Sequence, residues 1–145
     1  QELAAPFERK GRETPAGVHS DLQDIMEAHA GIIRDGTRLQ AGLEKLKTLK
    51  SRYPQIHVDG DRKYNFGWHL YLALSSMITV AEIIAKAALE RKESRSAQAR
   101  SDYPKMDPEW GKKSIIVKKV NGSPEIRAEL LPAMPDDLSK LLGDH

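Results

Sequence analysis

The side chains best equipped for chemistry sit in one run, Glu93-Ser94-Arg95-Ser96-Ala97-Gln98-Ala99-Arg100-Ser101-Asp102. A Ser between Glu and Arg raises the possibility of an activated nucleophile. Such a nucleophile needs a suitably spaced base and an oxyanion hole, and the sequence shows neither. Each Arg offers a planar, five-donor fork suited to carboxylates and backbone carbonyls. Asp102, just before Tyr103-Pro104, can anchor a turn or pair with one of these Arg residues. The run therefore suits holding surfaces together rather than bond breaking, the alternative being a solvated charge run. His19, His29, His57, His69 and His145 include no pair at the three- or four-residue spacing of helical metal ligands. Asp59-Gly60-Asp61 begins like a calcium loop, but Arg62 and Lys63 follow and no acid closes it. No G-x-G-x-x-G occurs, nor any Gly pair spaced to cradle a pyrophosphate. The absence of Cys excludes disulfides, thiolate chemistry and iron–sulfur ligation by this chain, and fits a reducing compartment.

These residues follow a long helical pattern. From Trp68 to Leu89, Leu70, Leu74, Met77, Ala81, Ile84 and Ala88 step by four and three, with Leu72, Val80, Ile83 and Ala87 widening the stripe. An apolar face this broad needs partners on more than one side, so the helix over 65–91 is expected to be central. Glu82, Lys86, His69, Ser75 and Ser76 interrupt it, which argues against a membrane span. Thr14-Pro15 marks the start of a first helix over 15–30. Thr37 with Gln40 resembles a capping box opening a second helix through Leu39, Leu43, Leu46, Leu49 and Tyr53, which stops before Pro54. Asn65 is the expected cap of the third helix. The expected fold is mainly α, a three-helix up-down-up bundle like a spectrin repeat over residues 15–104. Residues 1–14 read as a connecting arm. Residues 105–145 read as an extension, with a hairpin over 114–130 around Asn121-Gly122 and a short helix over 136–142.

The length of 145 residues suits one core, and the composition is that of an ordinary globular chain. The net charge is +2, from 23 basic and 21 acidic residues that interleave along the chain. That pattern describes a solvated surface and argues against nucleic-acid binding. Gln1-Glu2-Leu3 lacks the layout of a signal peptide and an initiator Met, so the expectation is a fragment with a domain upstream.

The order Glu90-Arg91-Lys92-Glu93-Ser94-Arg95-Ser96-Ala97-Gln98-Ala99-Arg100-Ser101-Asp102-Tyr103-Pro104 resembles the E-S-R-G-x-H-x-R-x-D-x-P signature of the succinate dehydrogenase/fumarate reductase flavoprotein family, in its C-terminal helical domain. Leu22-Gln23-Asp24-Ile25-Met26 with Gly31-Ile32-Ile33-Arg34 is similar to the family's L-Q-x-x-M…G-I-x-R helix. Tyr64-Asn65-Phe66-Gly67-Trp68-His69-Leu70 and Met106-Asp107-Pro108-Glu109-Trp110-Gly111-Lys112 resemble its flanking segments. Ser96 stands where the signature has Gly, and Gln98 where it usually has His, so no proton-carrying role passes to that position.

The resemblance implies a parent oxidoreductase that interconverts succinate and fumarate with FAD and passes electrons to an iron–sulfur subunit, at the cytoplasmic face of the membrane. It implies that this piece binds no FAD and carries no catalytic or metal-binding residue. Its expected partners are the flavin-binding domain of the same polypeptide and the iron–sulfur subunit, without nucleic acid or direct membrane insertion. Glu93, Ser94, Arg95, Gln98, Arg100 and Asp102 are the expected interdomain interface, with Arg95 and Arg100 not needed by the bundle itself. Aspartate oxidases and adenylylsulfate reductases are the alternatives within the family. An autonomous helical interaction module is the alternative outside it.

Overall fold

The computed structural model describes residues 2–135 and Leu138. After a short helix α1 (Ala5–Glu8), its bulk is three long helices, α2 (Pro15–Ala30), α3 (Gly36–Arg52) and α4 (Phe66–Glu90), each of the three in contact with the other two. Val18 and Leu22 of α2, Leu39, Leu46 and Leu49 of α3, and Tyr71, Leu74, Ile78, Ala81, Ala85 and Ala88 of α4 form the core. Burying these apolar side chains, at about 25 cal/mol per Å², is what holds the helices together.

The local signals at two helix starts act as read. Thr14 Oγ1 accepts from Gly17 N (3.1 Å) at the start of α2, and Asn65 Oδ1 accepts from Trp68 N (2.9 Å) at the start of α4. Asn65 Nδ2 also donates to the carbonyls of Asp59 and Asp61, both at 2.8 Å, so one side chain folds the loop and caps the helix. The start of α3 differs from the expected Thr37–Gln40 box. Asp35 is the cap, its Oδ1 accepting from Arg38 N at 2.8 Å, and the helix begins at Gly36. A carboxylate at the helix N-terminus answers both an orphan amide and the dipole. At the other end of α3, Tyr53 keeps helical angles (φ −51°, ψ −42°) despite preceding Pro54, and a 3-10 turn, Tyr53–Gln55, follows. The Tyr53 ring stacks on Tyr71 at 4.8 Å and its hydroxyl donates to Tyr71 O, which holds it there.

The buried face of α4 is rotated from the expected one. Leu74, Ala81 and Ala88 are buried as read, but the seam continues through Tyr71, Ile78 and Ala85, while Leu70 and Met77 are half-buried. Val80 (52% exposed) and Ile84 (41%) face outward. The small side chains of Ala81, Ala85 and Ala88 permit close approach of the neighbouring helices on that side. By length and composition alone α4 could cross a membrane, contrary to the reading of its interruptions. It instead packs against α2, α3 and the hairpin.

The arm is docked on the helices. Phe7 meets Trp68 edge-on at 5.8 Å, Trp68 Nε1 donates to Leu3 O (2.9 Å), and Val58 N donates to Pro6 O (3.0 Å). His57 N donates to Glu13 O (3.0 Å), and the Arg52 fork holds both carboxylate oxygens of Glu13 at 2.8 Å. Gly11 is required at its position, because a Cβ there would lie 1.8 Å from Gln55 O.

Beyond α5 (Pro108–Gly111), strands β3 (Lys113–Val120) and β4 (Ser123–Leu130) form the antiparallel hairpin, with Asn121 (φ 50°) and Gly122 (φ 83°) in its turn. The register pairs Ile115 with Ala128 and Val117 with Ile126, so the apolar positions share one face. Lys86 Nζ, 3.4 Å from Pro124 O, ties the ribbon to α4. The helix expected over 136–142 lies outside the described residues apart from Leu138, whose N donates to Pro135 O at 3.0 Å.

Candidate functional site

The Glu93–Asp102 run folds over the C-terminal end of α4. Helix ends leave their last carbonyls without intrahelical partners. Arg100 supplies them: Nη1 lies 2.6 Å from Ala88 O, 3.2 Å from Leu89 O and 3.3 Å from Arg91 O. Its Nε and Nη2 make a two-pronged pair with Asp102 Oδ1 and Oδ2, each at 2.7 Å. Asp102 Oδ2 in turn accepts from Gly36 N (2.9 Å), the first amide of α3. One ion pair therefore puts positive charge at the end of α4 and negative charge at the start of α3, matching both helix dipoles. Each charge is held in its ionised form. The Asp102 carboxylate raises Arg100 further, and the Arg100 guanidinium, with the Gly36 amide, holds Asp102 well below the ordinary range against its burial.

A short parallel pair, β1 (Ile33–Arg34) with β2 (Ala99–Arg100), stitches this end to the end of α2. Ser101 N donates to Arg34 O at 2.8 Å. Gln98 Nε2 donates to Ala88 O (3.0 Å), and its Oε1 accepts from Arg34 Nη1 (2.8 Å), so the amide uses both its ends. A neutral Gln does this without carrying a proton. Ser94 Oγ accepts from Arg100 N (2.8 Å) and donates to Tyr103 O (2.8 Å), which commits the hydroxyl to the turn.

Glu93 centres a second cluster and is fully buried. Oε1 accepts from Arg91 Nε (2.8 Å) and Arg95 Nε (2.9 Å), and Oε2 accepts from Asp107 N (2.9 Å). Arg95 Nη2 reaches Asp107 O, Arg91 Nη2 reaches Trp110 O, and the Arg91 guanidinium lies 5.7 Å from the Trp110 ring centre. Glu93 thereby anchors α5 and the start of the hairpin. Arg95 above all, then the Asp107 amide and Arg91, lower its pKa to about 2, against a burial that would raise it. A lowered folded pKa means the carboxylate stabilises the fold above the ordinary value of 4.5 and loses that contribution as pH falls toward 2. The melting temperatures of wild type and Glu93→Gln should therefore converge across that window. A gap that stays constant from neutral pH to pH 2 would show that Glu93 is not held ionised.

Ser96 and Ala97 form a tight turn closed by Arg95 N to Gln98 O (2.8 Å) and Gln98 N to Arg95 O (3.0 Å). Ser96 sits at φ 52°, a conformation that costs an L-residue about 1–2 kcal/mol. After the entropy that Gly adds to the unfolded chain, Ser96→Gly should stabilise by about 0.5–1 kcal/mol. A lower denaturation midpoint in that variant would show that the Ser hydroxyl outweighs the backbone strain.

The six expected residues thus come together, but the role expected for the two Arg is corrected. Arg100 (3% exposed) and Glu93 are internal to the domain, because the open end of α4 and the amide of Asp107 need their charge. Arg95 is half-buried on Glu93. Arg34, Arg91 and the Gly36 amide belong to the same assembly and were not singled out. Arg34 lies in the Gly31–Arg34 motif, which is the signal that could have found it. Among the described residues no group of His, Asp or Glu converges as metal ligands. The parallel pairings among them are the two-residue β1–β2 pair and a single Glu13–Ile56 bridge, so they form no strand–helix–strand unit of the kind that holds a dinucleotide.

The family model for the fumarate reductase flavoprotein C-terminus matches residues 19–135. The chain belongs to that family. It is 33% identical to the Haemophilus influenzae fumarate reductase flavoprotein subunit over 126 residues, 86% of this chain and 21% of the relative. It is 37% identical to the Mycobacterium tuberculosis fumarate reductase flavoprotein subunit over 101 residues, 69% of this chain and 17% of the relative. Mycobacterium smegmatis Sdh1, solved in complex with UQ1, superimposes with a TM-score of 0.91 at 36% identity, covering 98% of this chain and 25% of that one. The chain thus spans about a fifth of the length of the curated relatives it matches. Archaeoglobus fulgidus adenylylsulfate reductase shares the fold, with a TM-score of 0.74 at 22% identity over 92% of this chain and 24% of that one. In this chain Arg34, Gly36, Glu93, Gln98, Arg100, Asp102 and Asp107 join α2, α3 and α4 and seat α5.

Proposed function

We propose that this chain is the C-terminal helical domain of a flavoprotein subunit that interconverts succinate and fumarate, with electrons passing between FAD and an iron–sulfur subunit. The observation that carries the reading is the family match over residues 19–135. Relatives named as fumarate reductase and as succinate dehydrogenase flavoprotein subunits both align with this chain. FAD supplies hydride and electron transfer in such a subunit, and it is bound by the flavin domain rather than here. The three helices run up-down-up, and the domain packs on the flavin domain. The exposed rim of the α4 junction, Ser96, Ala97, Tyr103 and the outer edges of Arg95, Gln98 and Asp102, faces that partner. Glu93, Ser94 and Arg100 act behind the rim by fixing its shape. The parent subunit is peripheral at the cytoplasmic face, and α4 stays in the helical core rather than entering lipid.

The test is direct. The purified chain is expected to carry no flavin and to turn over neither succinate nor fumarate. A stoichiometric yellow cofactor copurifying with it would overturn this division of labour. The upstream reading frame supplies the second check: a G-x-G-x-x-G after a strand, some hundreds of residues before Gln1, separates an enzyme domain from a free-standing helical module.

A further inference from the structure

We propose that the cleft between the docked arm and the α3–α4 edge binds a small carboxylate with a flat, apolar body. The cleft holds about 440 Å³, within the range of roughly 300–1,000 Å³ typical of small-molecule sites. Leu3, Pro54 and Leu72 give it apolar walls, and no acidic residue among the described ones lines it. Half-buried Tyr53, stacked at 4.8 Å and 13° from parallel on the buried Tyr71, adds an aromatic wall beside those apolar ones. Arg9 stands at the polar end. Its guanidinium lies 5.7 Å from the centre of the Tyr71 ring, and Nη1 makes only two long contacts, to Tyr71 Oη (3.3 Å) and Ile56 O (3.4 Å). Among the described residues no carboxylate pairs with Arg9, whereas Arg91, Arg95 and Arg100 each hold one and Arg52 holds two. The remaining donors of the fork match a carboxylate. The apolar walls select a ligand whose body is uncharged, and the aromatic wall of Tyr53 suits a planar one. This inference concerns the arm and the helix edge alone and does not depend on the parent reaction.

The test titrates the full 145-residue chain with phenylacetate, followed by NMR at the Tyr53 and Tyr71 rings, with 2-phenylethanol as the uncharged counterpart. Phenylacetate should give saturable shifts at both rings and bind about tenfold more tightly than the alcohol, as a hydrogen bond to a charged group allows. Arg9→Gln should erase that preference. Because Arg9→Gln also loosens the arm, a second variant decides independently: Ser75→Trp, at an exposed position of the rim on α4, should block phenylacetate while keeping the wild-type melting curve. Failure of phenylacetate to saturate the wild type, equal affinity for the alcohol, or undiminished binding to Ser75→Trp would each overturn the assignment.

Discussion

Arg100→Ala should destabilise this chain by about 3–5 kcal/mol, the range for removing one partner of a buried ion pair. The guanidinium is almost entirely enclosed, and its donors are divided between the carboxylate of Asp102 and three carbonyls at the end of α4. Ala88 O would keep Gln98 Nε2, but the Leu89 and Arg91 carbonyls would lose the side-chain donor that reaches them. Asp102 would keep only the Gly36 amide to balance its charge. Arg100→Lys should fall between the two, since an ammonium can reach the carbonyls but cannot reproduce the two-pronged pair. Equilibrium denaturation measures both. A midpoint for Arg100→Ala equal to wild type would restore the purely interdomain role that the sequence suggested and remove the structural one.

Leu74→Ala is the second large effect, about 2–5 kcal/mol. Leu74 is wholly buried where α4 meets both other helices. The cost combines lost transfer energy with a cavity that rigid helices cannot close. Met77, one turn on, supplies the internal contrast. It is half-buried and lines an outer groove with Met26, Val80 and Ile84, so Met77→Ala should cost only about 1 kcal/mol. Chemical denaturation of the two variants gives the ratio. Equal losses would mean that the groove is closed in solution and the seam is wider than described.

Much of the fold was legible because it is set locally. Thr14 and Asn65 cap by reaching three residues ahead, and Asn121-Gly122 turns the hairpin through its own positive φ values. The misread features have distant causes. Thr37 with Gln40 resembles a capping box, but the structure that settles Gly36 at the start of α3 includes Asp102, 66 residues away. The seam of α4 was placed one step off because apolar residues cover more than half its circumference, and periodicity alone cannot orient so broad a face. The six residues of the Glu93–Asp102 run come together because they are adjacent in sequence. Its function within the domain was hidden, because burial of Arg100 depends on the carbonyls it meets. A charged run beyond the last apolar turn gives no sign that it folds back over the helix it follows.

The docked arm has a consequence for trimming this polypeptide. A limit set at Pro15, where the helical pattern begins, would strip the ring from Trp68, the carbonyl from its indole N–H and one of two carboxylates from Arg52. It would also remove the Pro6–Val58 and Glu13–His57 backbone hydrogen bonds beside the buried Ile56 and Val58. The cooperative unit therefore begins before its first long helix, and a minimal version of it must retain the segment from Leu3 onward.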